Sequence, residues 1–269
     1  MIKKSSRYGI IFLQVLLALL TIAAIVYSIK LIKEQQALNK AQAANYAAFG
    51  VEMPLDYSIY GIDVSSHQDI IYWPSVKNMK VNNISINFAF IKATEGANDA
   101  DKLFNKNWES TKQLGITHGA YHFFLATKNG ATQAYNFIRI VNLQKGDLPP
   151  VVDIEQLYGV APNVMQQRLQ QCLDSLENHY HAKPIIYTYI DFYEHYLSGK
   201  FDDYPLWIAN YLESDKPRIK RNWLFWQHSE QAHVNGITTF VDCNVFKGDS
   251  LGFKKILLKN NPTAFAKIH

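Results

Sequence analysis

The stretch LPPVVDIEQL, residues 148–157, ends an apolar run on two carboxylic acids, Asp153 and Glu155. In an extended strand, positions i and i+2 share a face about 6.6 Å apart, so both acids enter one space. Two partly buried neighbouring carboxyls cannot both ionise freely, and one keeps its proton towards neutral pH. Such a pair suits hydrolysis of a glycosidic bond. The acid protonates the leaving oxygen, and a carboxylate stabilises positive charge or activates the nucleophile. Spacing leaves retention and inversion both open, because rotamers set the distance between the carboxyls.

Two more acids sit in similar places. Asp63 closes the run YGIDV, and Asp242 lies in FVDCNVF. Singly, Asp63 also reads as a turn cap and Asp242 as the partner of a cation. Four acids at strand ends are harder to ascribe to chance, since converging acids repel and are costly to desolvate. Aromatic residues supply a second element: Tyr121 and Phe123 lie two apart, as do Tyr187 and Tyr189, and Trp207, Tyr211 and Trp226 line or end later runs. Sugar rings stack their apolar faces on such side chains, and a tyrosine hydroxyl needs a polar partner. His118 and His122 have the spacing of a helical metal pair. Gly119 and the neighbouring aromatics favour a strand, where that spacing is about 13 Å and too long for one ion. No metal site is expected. Lys92 and Glu95 read as an ion pair at a strand end.

These side chains need a frame. Strands are expected at 59–65, 88–94, 118–124, 150–155, 184–190, 205–211, 224–229 and 240–246, and helices at 101–115, 130–143, 161–181 and 191–198. Alternation of strand and helix indicates parallel pairing, and near-continuous apolar strands fit a sheet covered by helices. The later connections are short, so the last strands lack full helices. The pattern predicts an α/β fold, an irregular TIM-like barrel, with a doubly wound open sheet as the alternative. In such a barrel the C-terminal strand ends form the active-site mouth.

Ahead of this body, Tyr8 to Ile29 is uncharged and apolar, with Lys3, Lys4 and Arg7 before it. At about 1.5 Å per residue it spans roughly 33 Å, enough for a bilayer core. A cleaved signal has a shorter apolar region, so an uncleaved single-pass anchor in the lipid bilayer is expected. The organisation expected is a short cytoplasmic flank at 1–7, the transmembrane segment at 8–29, a stem at 30–56, the barrel at 57–250 and a tail at 251–269. Residues 1–54 carry the whole net charge of +4, so the body balances to zero. A neutral body argues against nucleic acid as a partner. Cys172 and Cys243 lie 71 positions apart without metal-ligand spacing and read as ordinary buried cysteines rather than a disulfide.

Taken in order, YGIDVSSHQ, WPSVK, FAFIKATEG, GAYHFF, LPPVVDIE, PIIYTY, PLWIANY, FWQHS and VDCNVF resemble the family 25 glycoside hydrolases, the Chalaropsis-type lysozymes, over residues 59–248. The resemblance implies a (β/α)5(β)3 barrel and cleavage of the β-1,4 bond between N-acetylmuramic acid and N-acetylglucosamine in peptidoglycan. It implies Glu155 as the acid, with Asp153, Asp63 and Asp242 as the other active-site acids. Tyr121, Phe123, Tyr187, Trp207 and Gln227 become the expected sugar-site residues. Asp153 would assist the substrate's acetamido group, or an aspartate would activate water. No cofactor is needed, and a monomeric domain outside the cytoplasm, periplasmic or extracellular, is expected. Two positions depart from the family pattern: Asp69 stands where glycine usually follows Gln68, and His228 replaces a tyrosine. A chitinase-like enzyme would show a longer acidic signature than VVDIE. A wall-binding module without catalysis is the other alternative.

Overall fold

The structure, a computed structural model, describes residues 3–211 and 213–260, with residues 3–7 described through their backbone alone. Residues 1, 2 and 261–269, the outer parts of the expected flank and tail, lie outside the described residues. The chain divides into two units, Met1–Ala44 and Asn45–His269.

The first unit is helical. Helix α1 (Lys3–Phe49) has 47 residues and includes a stretch long and apolar enough to cross a membrane, none of it buried. The expected stem continues the same helix, because its Ala, Gln, Leu and Lys residues are good helix formers. The helix stops at Gly50, whose φ is +70° and whose N–H bonds the Tyr46 carbonyl at 2.8 Å. Glycine at that position is the common helix terminator.

The second unit is a closed barrel. Its strands in chain order are β1 (Tyr60–Val64), β2 (Lys80–Val81), β3 (Ile84–Glu95), β4 (Asp99–Ala100), β5 (Thr117–Phe123), β6 (Val151–Asp153), β7 (Ile185–Tyr189), β8 (Leu206–Ala209), β9 (Phe225–Ala232) and β10 (Val241–Phe246). β2 and β4 pair only with β3. The other eight form a ring, because β1 pairs with β3 on one side and β10 on the other. That closure excludes the open sheet. Neighbours from β1 round to β9 are parallel, and β10 is antiparallel to both of its neighbours.

Every expected strand is present, with β6 ending at Asp153 instead of residue 155 and β9 running on to Ala232. The helices on the outside are α2 (Trp73–Asn78), α3 (Phe104–Gln113), α4 (Gly130–Ile138), α5 (Pro162–Tyr180), α6 (Ile190–Phe192), which leads into a π turn, and α7 (Ser250–Ile256). Among the described residues no helix separates β8 from β9 or β9 from β10. Helices α2 and α7 were not expected. They have 6 and 7 residues, too short to display a helical period.

Alternation along β3 sorts the core. Ala89 and Ile91 face the outer helices, whereas Phe88 and Phe90 fill the barrel. Phe90 stacks on Trp207 at 4.5 Å between centroids, and Phe88 packs on Phe225 at 5.1 Å. Gly61 makes room for this cluster, since a Cβ there would lie 2.4 Å from the Phe88 ring. Helix α7 closes the far end by inserting Phe253 between Phe88 and Phe246. The packed body therefore runs past residue 250, with Phe253 and Leu258 both buried. One end of the interior is sealed by aromatics, and the other is left for polar side chains.

Candidate active site

The polar end lies where β1 to β9 finish and β10 begins, and it opens into a cavity of about 380 Å³. All nine expected site residues line it: Asp63, Asp153, Glu155 and Asp242, with Tyr121, Phe123, Tyr187, Trp207 and Gln227. Strand register explains the convergence. Asp63 pairs directly with Asp242 across β1 and β10, and Asp153 lies level with Phe123 and Tyr187 on its two neighbours. Glu155 follows two residues beyond the end of β6, so it reaches the cavity from a loop.

Asp63 is held by amides. Its Oδ2 accepts from Gln227 Nε2 at 2.9 Å and from Asn244 Nδ2 at 2.7 Å. Asn244 Oδ1 in turn accepts the Trp207 indole N–H at 2.8 Å. Gln227 Oε1 accepts the hydroxyls of Tyr187 and Tyr211, each at 2.7 Å. The amide groups of Gln227 and Asn244 are thus fixed by their partners, and each points its N–H at the same carboxylate. Trp207 is 2% exposed and stacked on Phe90. It therefore forms the floor of the cavity instead of offering a free ring face. Exposed ring area comes from Tyr189 and Tyr211, in an adjoining cavity of about 660 Å³ that shares Glu155, Tyr187, Tyr211 and Glu230 with the first.

Burial dominates the electrostatics. It raises Asp63, against the lowering effect of hydrogen bonds from Asn244, Gln227 and Asp242. Asp242 is pushed up to about 10 by burial and by the charge of Asp63, to which it donates its proton. Asp153 stands well above the usual carboxylate range through burial, then through repulsion from Glu155 and Asp63. Burial raises Glu155 as well, while a hydrogen bond from Asp153 opposes the shift. The four acids thus fall into two pairs, Asp63 with Asp242 and Asp153 with Glu155, each retaining a proton because a second charge would be buried without compensation. The proton of the second pair rests on Asp153, the deeper of the two. Asp153 Oδ1 is buried without a hydrogen-bond partner, an unmet acceptor at the centre of the site.

Lys92 is the cation in the cavity lining. It bonds Glu95 Oε2 at 2.7 Å, as expected, lies 4.8 Å from the Phe123 ring centroid, and draws the pKa of Asp153 down. The histidines are apart from any metal geometry. His118 faces Asp147, and His122 bonds Thr94 and Gln133. No group of three possible metal ligands occurs among the described residues. Both cysteines are buried and unpaired.

Among the residues not anticipated from sequence are Glu230 and His67 in the cavity lining and Asn244, buried beneath it. Glu230 was placed beyond the end of its strand, whereas β9 carries it to the rim. Asn244 had a signal, the i, i+2 relation to Asp242 that puts both on the inner face. His67 comes from the turn after β1, where Ser65 Oγ lies 2.8 Å from its Nδ1. Asp69, at the end of that turn, has φ +51° and ψ −144°, a conformation natural to glycine. His228 is buried behind the sheet and absent from the cavity lining.

The uncharacterized protein YegX of Escherichia coli K12 is 39% identical over 201 residues, which cover 75% of this chain and 74% of YegX. Lysozyme M1 of Streptomyces globisporus is 32% identical over 232 residues, covering 77% and 74% of the two chains. A family 25 glycosyl hydrolase from Bacillus anthracis superposes with a TM-score of 0.69 at 33% identity, covering 76% of this chain and 95% of its own. The family model described as glycosyl hydrolases family 25 matches residues 62–237, a span that holds Asp63, Asp153 and Glu155 and stops just short of Asp242. A match over most of the barrel, with relatives that span it, settles the assignment: the chain belongs to glycosyl hydrolases family 25 and is a glycoside hydrolase.

Proposed function

We propose that the protein is a membrane-tethered N-acetylmuramidase that cleaves the β-1,4 bond between N-acetylmuramic acid and N-acetylglucosamine of peptidoglycan. Relatives named as lysozymes support the substrate class. The observation that supports the mechanism is the Asp153–Glu155 pair, a buried and a half-buried carboxyl with one proton between them and an unsatisfied Asp153 oxygen. A 2-acetamido N–H placed on that oxygen satisfies it and favours ionised Asp153. The pair's proton then belongs to Glu155, which donates it to the leaving glycosidic oxygen. Asp153 meanwhile orients the acetamide, whose carbonyl oxygen attacks the anomeric carbon as the glycosidic bond breaks. Water, giving its proton to Glu155, then opens the cyclic intermediate and restores the acid. Asp63, fixed by Gln227 and Asn244, adds negative potential opposite the positive charge that develops on the sugar ring. Tyr187, Tyr211 and Tyr189 line the path of the glycan. The apolar helix supplies the bilayer tether, and the barrel works on the periplasmic or outer side, where the polymer lies.

The test is the full-length protein incubated with purified peptidoglycan in detergent, with new reducing ends identified by mass spectrometry. N-acetylmuramic acid at those ends is expected. N-acetylglucosamine there would overturn the bond assignment, and uncleaved glycan would leave the barrel as a binding module.

A further inference from the structure

The two ends of the barrel unit differ in charge. Four active-site acids meet at the mouth, and a cluster of exposed lysines lies opposite. β10 starts at the mouth with Asp242 and, being antiparallel to β1, finishes at the far end with Phe246. Helix α7 follows there, with Lys247, Lys254, Lys255 and Lys259 all exposed. Leu251, 65% exposed, shares the outer face of α7 with Lys254 and Lys255 by its i, i+3 and i+4 spacing.

The segment joining β8 to β9 adds Lys216 and Lys220, which line a cleft of about 450 Å³ with Lys247 and Trp223. This segment is fixed near the far end by Tyr57, just ahead of β1, whose hydroxyl donates to the Asp215 carbonyl at 2.9 Å. Asp56 and Asp215 lie beside Tyr57 here, and two further acids are engaged within the fold. Asp249 caps α7 through the Gly252 N–H, and Asp147 accepts the Gln144 N–H and faces His118.

The chain enters the barrel unit along its side, with Asn45 near this end and the Phe49 carbonyl accepting the His233 N–H at 2.7 Å from the loop after β9. Asn45, the unit's first residue, accepts from Asn82 Nδ2 at 2.8 Å, and Asn82 belongs to the turn that precedes β3.

We propose that this lysine face rests on an anionic lipid surface. Clustered ammonium groups attract lipid phosphates, and an exposed leucine among them suits the headgroup boundary. Lipid is favoured over other polyanions because the same chain carries an apolar helix of membrane-spanning length. The inference rests on the reading of that helix as an anchor. Its consequence is an oriented enzyme: the lysines hold the far end to the bilayer, and the acidic mouth faces away from it, towards the polymer.

Vesicle flotation tests this. The fragment from residue 45 onward holds the closed sheet and both buried clusters, so it is used beside the full chain. Vesicles are phosphatidylcholine alone or mixed with phosphatidylglycerol. At low salt the fragment is expected to float only with the anionic vesicles and to be released by high salt. Lys254→Glu/Lys255→Glu/Lys259→Glu should lower its partitioning at least about tenfold without loss of hydrolysis of soluble glycan fragments. The same charge reversal at the mouth end, Lys102→Glu/Lys106→Glu/Lys128→Glu, should leave flotation intact. No flotation of the fragment with anionic vesicles, equal flotation with both, or equal loss in both variants would overturn the proposal. The full chain should float with either vesicle. Its failure to do so would sink the anchor reading, while the fragment still decides the lysine face.

Discussion

At the residue scale, function comes from confinement of acids more than from their number. Asp153 and Glu155 were legible as a pair because a two-residue spacing in a strand has one geometric meaning. Asp63 and Asp242 were legible as types, but their adjacency depends on the pairing of β1 with β10, separated by most of the chain. Asn244 and Glu230 were missed for different reasons, an unremarked alternation and a strand end set too early. The confinement predicts a pH dependence of stability. Asp242 titrates near 10 in the folded protein and near 4 when unfolded. The native state therefore binds the extra proton between those values, and stability falls as pH rises through that window. Asp242→Asn should be more stable than the parent at pH 8 and match it more closely at pH 4, as read from urea midpoints. An advantage that is the same at both pH values would contradict the shared proton.

At the element scale, the strands were easy to find because each is a short apolar run bounded by turns, and the barrel followed from their alternation with helices. The sequence reading underestimated what lay between and after them. α2 and α7 are too short to carry periodicity, and α7 declares itself only through Asp249 as its cap and through Phe253, whose burial depends on a barrel end already being there. The turn after β1 shows the opposite case, a local rule broken in plain view. Asp69 adopts a positive φ with an extended ψ, where a side chain costs about 1 kcal/mol or more. Asp69→Gly should raise stability by about 1 kcal/mol in thermal or urea unfolding. A loss of stability would mean that the Asp69 side chain makes a contact worth more than the strain.

At the scale of the whole molecule, charge balance conceals a separation. The body is neutral in sum, yet four active-site acids meet at the mouth and a cluster of exposed lysines lies at the opposite end. Composition excluded a nucleic-acid footprint but was blind to this polarity, because only the direction of the strands assigns each loop to an end. The N-terminal helix divides the molecule in another sense, as an apolar unit on a chain whose barrel needs no lipid to close. Removal of residues 1–44 should give a protein soluble without detergent, with unchanged hydrolysis of soluble glycan fragments, whereas the full chain should need detergent for extraction from membranes. A fragment that aggregates or loses hydrolysis would show that the barrel depends on the helix.

The most direct test of the mechanism separates protonation of the leaving group from every other role of Glu155. The parent and Glu155→Gln are compared on peptidoglycan and on an N-acetylglucosaminyl-N-acetylmuramide with a dinitrophenyl leaving group, which departs without a proton. On peptidoglycan the variant should lose about 100- to 10,000-fold in rate, the usual contribution of a general acid. It should keep near-parental first-turnover release of dinitrophenol from the activated glycoside, a step that precedes any need for Glu155 as base. It should also lose the high-pH decline in rate that deprotonation of the pair imposes on the parent. Equal losses on both substrates would contradict Glu155 as the acid and return the assignment to Asp153 or the Asp63–Asp242 pair.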